Sequence, residues 1–288
     1  MRINPDVQNY LRRHRLLREF GTLQNFLKCF AEVGGGGALN SASDLMAGFE
    51  SDLRKCDDAI FVNQAATDTY FAGLLAERYS KLATRIKSFN YVKPDLPTLC
   101  FRCHSGIFLC MLAALHPEAR FIGYDYSEPA IRLAKQRASD QGLTNVTFVC
   151  GDLDDCLARE ESNSFGLVIA IDGWEIGRVA LPGAERVLHS QDIELFRRCG
   201  IEISRVLHPE GRCLNVTGIL RSVDPDLLPL LLDKAVHCGL VFASKESVIL
   251  MDKAAFATPI TDMTPCLVFK KGAGSPVSTQ TIRKLRMV

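Results

Sequence analysis

Long apolar runs are missing from this chain of 288 residues; none reaches eighteen, so no segment is expected to span a membrane. A charge of one sign is missing too. Lys and Arg number 34 against 33 Asp and Glu, and the formal charge of +1 gives no general bias toward nucleic acid or acidic surfaces. The N-terminus has no apolar core of the kind that directs secretion. It carries Arg12, Arg13, Arg15 and Arg18, but Asp6, Glu19 and the lack of a serine-rich context set it apart from a transit peptide; a solvated helix face is expected. No internal repeat is visible. No second Cys or His pair lies at ligand spacing, so no metal centre is expected. The eleven cysteines are odd in number. Cys100, Cys150, Cys213 and Cys266 fall in predicted strands and Cys110 on a predicted buried helix, which fits reduced core thiols in a cytoplasmic protein rather than a disulfide framework.

What is present centres on Pro97–Asp152. Three short apolar runs, Thr98–Phe101, Arg120–Tyr124 and Val146–Cys150, alternate with two helical patterns, Gly106–Leu115 and Glu128–Gln141. That alternation predicts βαβ units and a parallel sheet, with a ligand site outside the carboxyl ends of the strands. Phe165–Ile171 is a fourth strand, almost wholly apolar as a central parallel strand should be. Gln191–Val206 is a helix, and the turn Leu207–Arg212 leads into a fifth strand, Cys213–Thr217. Asp224 and Pro225 start a helix through His237. Val241–Leu250 and Pro265–Lys270, with no helix between them, predict an antiparallel pair at a sheet edge.

Before the first strand the pattern is helical. Leu16, Phe20, Leu23, Leu27 and Phe30 make an apolar stripe and predict one helix over residues 6–32. Gly34–Gly37 must break it and is expected to form a mobile loop. A second helix is expected over residues 43–56, and a third from Ala59 to Phe89, broken near Thr67. The expected organisation is a helical subdomain over residues 1–95, an α/β domain over 96–272 and a basic, loose tail over 273–288.

Five β/α steps closed by an antiparallel pair, with four short motifs in order, resemble the class I S-adenosylmethionine-dependent methyltransferases over Pro97–Gly272. The motifs are Ser105-Gly106 after the first strand, Gly123–Ser127 at the end of the second, Val149–Asp152 after the third, and Leu207–Arg212 before the fifth. The resemblance implies a Rossmann-like, seven-stranded, mostly parallel sheet and S-adenosylmethionine as cofactor. It implies a cofactor site of Arg102, Cys103, Ser105 and Gly106, then Asp125 and Tyr126, then Asp152 and Leu153. Chemically, the Asp125 carboxylate can accept from both hydroxyls of a ribose diol, and Asp152 from the adenine amino group, with the Leu153 amide facing a ring nitrogen. Each aspartate competes with a plainer role at a helix N-terminus, where Ser127 is the better-placed cap for the helix after the second strand.

The loop after the first strand departs from the family. Where the family has acidic–x–Gly–x–Gly–x–Gly, this chain has Cys100, Phe101, Arg102, Cys103, His104, Ser105 and Gly106. Glycine there permits positive φ and close approach of a ligand. Three readings stay open: Arg102 points away and the cofactor binds in an altered pose; the seat for the methionine end is lost; or the guanidinium itself binds the methionine carboxylate as a fork. The same residues spell a C-x-x-C-H haem-attachment pattern, which a buried first cysteine and the absence of an export signal argue against.

For the acceptor, Asp172 at the end of the fourth strand and His104 are the candidate bases, and Tyr70, Tyr79 and Trp174 the candidate substrate contacts. A small-molecule acceptor is expected. The segment Asp172–Glu175 does not read as the motif of amino-group nucleic-acid methyltransferases, and the N-terminal basic face lacks interleaved aromatics, so nucleic acid is not the expected partner. A homodimer through the N-terminal helices is the expected assembly. The alternatives are a non-methylating relative and a nicotinamide-dependent oxidoreductase; the latter lacks the G-x-G-x-x-G turn.

Overall fold

The computed structural model describes residues 1–34, 60–171, 190–216, 232, 235–253, 261–273 and 285–288. Within them, the short apolar runs form the expected parallel strands: β1 Thr98–Phe101, β2 Phe121–Asp125, β3 Val146–Cys150, β4 Phe165–Ile171 and β5 Leu207–Val216. Their connections include α5 Ile107–Leu115 between β1 and β2, α6 Glu128–Asp140 between β2 and β3, α7 Leu153–Ala158 between β3 and β4, and α8 Ser190–Val206 before β5. The sheet continues through β6 Leu240–Phe242, β7 Val248–Lys253, β8 Thr261–Lys271 and β9 Arg286–Met287. Its order is β3-β2-β1-β4-β5-β8-β7-β9, with β6 also on β8. Pairing is parallel from β3 to β5 and antiparallel where β8 meets β5, β6 and β7. The order reverses between β1 and β4, so the loop after β1 borders the crevice where such sheets bind ligands.

Two details of the closing region differ from expectation. The run Val241–Leu250 is two strands, not one. The Glu246 and Ser247 amides both turn back to the Ala243 carbonyl, and the Ser247 hydroxyl accepts from the Val268 amide at 2.9 Å in place of a ladder carbonyl. The stretch expected to be a loose tail ends in β9, which pairs with β7 in parallel, Val248 opposite Arg286 and Ile249 opposite Met287. The turn Leu207–Arg212 appears as a register break: Phe165 faces Leu207, but Leu167 faces Arg212.

The N-terminal stripe is not one helix. α1 spans Pro5–Arg13 and α2 Leu23–Gly34. α1 stops in a Schellman motif, with Arg15 left-handed at φ 56°, the Leu16 amide on the Leu11 carbonyl at 2.8 Å and the Arg15 amide on Arg12. Leu16 and Leu11 are both fully buried, the apolar contact that accompanies such a cap, so Leu16 reaches the core from outside a helix. The third helix starts later than expected, because Asn63 caps α3 Gln64–Tyr70 through the Ala66 amide at 2.8 Å. No break occurs at Thr67. Phe71–Leu75 instead forms a single π-helical stretch that runs into α4 Ala76–Ser88. Gly73 lies in it, and a Cβ there would come within 2.3 Å of the Phe26 ring, so α2 and this stretch are pressed together at a position only glycine fits.

One core covers each face of the sheet. Val7, Leu11, Leu16, Tyr79, Leu82 and Ile86 of the N-terminal segment share a single cluster with α5, α6 and one face of the strands. The other face packs against α7 and α8 through Leu157, Cys199, Ile203 and Val206. The boundary expected at residue 95 has no counterpart in this packing, since α1 and α4 belong to the α/β core. α2 and α3 hold two smaller clusters; one of them joins Phe30, Ile60, Phe61 and Ala66 to Ala130 and Leu133 of α6. They sit as a cap over that helix. The expected helix over residues 43–56, Gly35–Gly37, and most of the expected helix from Asp224 lie outside the described residues.

Candidate functional site

β1 ends at Phe101, and the chain then turns through Arg102–Gly106 into α5. Arg102, His104 and Gly106 take φ values of 48°, 50° and 72°. These are the three positions at which the resembled family has glycine, so the left-handed backbone is retained although two of its three glycines are not. For an L residue that conformation costs about 1–2 kcal/mol and persists only where the surroundings over-determine it. Here they do. The Cys103 amide donates to the Tyr124 carbonyl at 3.1 Å, the His104 amide to Asp125 Oδ2 at 2.9 Å, and the Gly106 amide to the Cys103 carbonyl at 3.0 Å. Gly106 cannot be replaced without conflict, since a Cβ would lie 2.8 Å from both Ala134 and Phe148.

Asp125 at the end of β2 is 3 % exposed and its carboxylate already accepts twice, from His104 at Oδ2 and from the Ser127 amide at Oδ1, 2.9 Å each. A carboxylate offers about four lone-pair sites, so two remain for a diol. A diol reaching Asp125 must share this crowded position with the loop. Ser127 caps α6, accepting from the Ala130 amide at 3.3 Å. Asp152 holds the N-cap position of α7 but makes no side-chain cap bond, and it is exposed. Its carboxylate is therefore not used as the capping alternative supposed. The half-buried Leu153 follows it. The Arg102 guanidinium turns toward β2: its carbon lies 5.4 Å over the Tyr126 ring and Nη2 lies 3.4 Å from the Tyr126 hydroxyl.

Several expected site residues lie elsewhere. Cys103 is a core residue: its sulfur is 2.8 Å from where a Cβ on Gly123 would stand, and burial pushes its thiol well above the usual range. Cys100 is equally buried. Neither thiol can reach a haem; the Cys103 sulfur lies 3.9 Å from the His104 carbonyl. Ser105 is buried and contributes its carbonyl rather than its side chain. Tyr79 is not a substrate contact; its ring packs between Phe71 and Phe108 at 5.4 and 4.9 Å in the core. Tyr70 is half-buried in the cap, 6.3 Å from the Phe30 ring. His104 is half-buried, and its ring lies 5.8 Å from Phe61, so the cap touches the loop there. Asp172 and Trp174 lie outside the described residues. Arg137 on α6 was not foreseen. Its Nε donates to the Ser105 carbonyl at 3.2 Å and its Nη2 meets Asp68 of α3 at 2.6 Å.

Among the described residues, no cluster of His, Cys, Asp or Glu could hold a metal ion, and no helix is long and apolar enough to cross a membrane. A family model described as a methyltransferase domain matches residues 102–226. The tRNA (guanine-N(7)-)-methyltransferase of Rubrobacter xylanophilus is 38% identical over 50 residues, 17% of this chain and 22% of that protein. Its namesake from Chloroflexus aurantiacus is 38% identical over 64 residues, 22% of this chain and 28% of that protein. The similarity thus spans less than a third of either relative. Among solved structures, a TehB-like SAM-dependent methyltransferase from Corynebacterium glutamicum aligns with a TM-score of 0.43 at 20% identity, over 66% of this chain and 86% of the other. A SAM-dependent methyltransferase from Aquifex aeolicus aligns at 0.45 and 12% identity, over 67% and 96%. The cofactor that such a domain implies is S-adenosylmethionine. Residues 102–226 thus match a methyltransferase domain, and the strand order around them is the one that the resemblance to the class I S-adenosylmethionine-dependent methyltransferases implies.

Proposed function

We propose that this protein binds S-adenosylmethionine at the carboxyl ends of β1–β3 and directs its methyl group to a small-molecule acceptor held beneath the α2–α3 cap. The observation that carries the reading is the loop Arg102–Gly106, which keeps left-handed backbone at each position where the resembled family has glycine. In this reading the remaining lone pairs of Asp125 take the ribose hydroxyls, the exposed Asp152 accepts from the adenine amino group, and the Leu153 amide faces the ring. When bound, the cofactor supplies a methyl group activated by a sulfonium. The chain's own task is alignment and exclusion of water. His104, on the loop and beside Phe61, can accept a proton from an acceptor, and Tyr70 can line its pocket. Asp172 and Trp174 are proposed to act on the same acceptor from the end of β4.

A nucleic-acid acceptor is the second reading. It is favoured by the relatives that carry a tRNA methyltransferase name and by four exposed arginines, Arg12, Arg13, Arg15 and Arg18, of which Arg18 reaches Thr69 on α3 at 3.4 Å. Calorimetry with S-adenosylmethionine and S-adenosylhomocysteine tests the cofactor site; no heat with either overturns both readings. Transfer of labelled methyl groups to a total RNA pool and to a metabolite extract then separates the acceptors. Label in RNA that falls steeply with added salt would overturn the small-molecule reading.

A further inference from the structure

We infer that Arg137 is a positioning residue through which the α2–α3 cap and the cofactor loop are set in place together. The inference rests on the cofactor site proposed above. Arg137 is 1 % exposed and is among the largest fully buried side chains. A lone buried guanidinium is costly, and a buried ion pair seldom gains over apolar side chains of the same volume. Packing alone therefore does not explain an arginine here. What the planar fork supplies is direction. One arm meets Asp68 on α3 at 2.6 Å, and Nε holds the Ser105 carbonyl of the loop at 3.2 Å. On balance burial raises the Asp68 carboxyl, against Arg137 and, more weakly, Arg18 and His14, which pull it down.

The cap meets the loop a second time through Phe61 on His104. Two adjacent loop residues are thus held from the cap, His104 by a ring and Ser105 by way of Arg137. Around the same arginine, α1 is tied to the end of α6 by the Tyr10 hydroxyl on Gln141 at 2.9 Å. A displacement of α3 on entry of an acceptor would therefore move the Ser105 carbonyl, and with it the left-handed turn.

Arg137→Lys keeps a cation for Asp68 but removes the planar fork and its Nε donor. The two measurements are the affinity for S-adenosylhomocysteine by calorimetry, below the unfolding midpoint, and amide exchange of residues 103–106 without ligand. Arg137→Lys is expected to weaken binding by about tenfold or more and to speed exchange at His104 and Gly106. Parental affinity together with parental exchange would overturn the inference. If the parent protein binds no S-adenosylhomocysteine, the proposed cofactor site fails, and the exchange measurement alone decides the role of Arg137. Should Arg137→Lys not fold, Asp68→Asn serves, since it keeps the bond to Ser105 but weakens its anchor. Faster loop exchange supports the inference, and unchanged exchange overturns it.

Discussion

The backbone amide of His104 donates to Asp125 Oδ2 at 2.9 Å, so the end of β2 holds the loop that follows β1. The same carboxylate that is proposed to receive a ribose diol also fixes a non-glycine residue in a left-handed turn. Asp125→Ala should therefore do two things. Affinity for S-adenosylhomocysteine should fall by roughly a hundredfold or more, because a charged acceptor of two hydrogen bonds is worth about 1.5–3 kcal/mol for each. Amide exchange at His104 should also rise without any ligand. Calorimetry and exchange together check this, and retention of both parental values removes Asp125 from the site.

Arg102→Gly should leave unfolding stability within about 1 kcal/mol of the parent. Relief of left-handed strain gains about 1–2 kcal/mol. Glycine's extra chain entropy costs about 0.5–1 kcal/mol, and loss of the stack on Tyr126 about 0.5–1 kcal/mol. Denaturant unfolding measures the balance. A loss well beyond this range would mean that the guanidinium anchors more than the Tyr126 ring.

Gly73→Ala should destabilise by about 1–3 kcal/mol, the usual cost of overpacking, because its methyl group would meet the Phe26 ring. Pairing it with Phe26→Leu should recover part of that loss, which thermal unfolding of the two variants would show. Equal destabilisation in both would mean that the π-helical stretch yields instead of the ring.

Glu246 accepts from Arg212 at 2.9 Å and Tyr91 at 3.0 Å, and Lys270 lies 2.7 Å from its other oxygen. Burial alone would raise its pKa, but the hydrogen bonds from Lys270, Arg212 and Tyr91 outweigh burial and hold it below the ordinary carboxylate range. Its folded pKa is thus lower than its unfolded one. The stabilisation is present above the unfolded value of about 4.3 and is lost as pH falls through the folded value. Glu246→Gln should be less stable than the parent at pH 7, and the gap should close below about pH 4. Unfolding midpoints across that window check the sign; a gap that widens in acid contradicts it.

The parallel strands were legible because each is a short apolar run bounded by turn residues, and that pattern needs no distant partner. Residues whose role depends on a distant partner were not. Leu16 continues an apolar stripe, yet it is buried by a Schellman turn whose left-handed residue is Arg15 rather than glycine, so nothing marked the stop. Ser247 interrupts a strand through its bond to Val268 on β8, which local pattern cannot reveal. Arg132 and Arg137 lie on one amphipathic helix and look alike in sequence, but Arg132 is exposed and Arg137 is buried against α3. At the strand ends, the Ser127 cap and the left-handed turn at Gly106 were visible because their chemistry is local. That Tyr79 and Cys103 pack into the core was not legible, since an aromatic or a thiol beside a loop carries no mark of which way it points.

The two residues of β9 bear on the protein's behaviour in crowded solution. By lying alongside β7 they occupy backbone donors and acceptors that would otherwise offer a template to any extended chain. The strand that closes the sheet is too short to be an attractive template in turn. Loss of residues 285–288 would leave Val248–Leu250 as an open, largely apolar border, and concentration-dependent self-association would be the first symptom rather than loss of the fold.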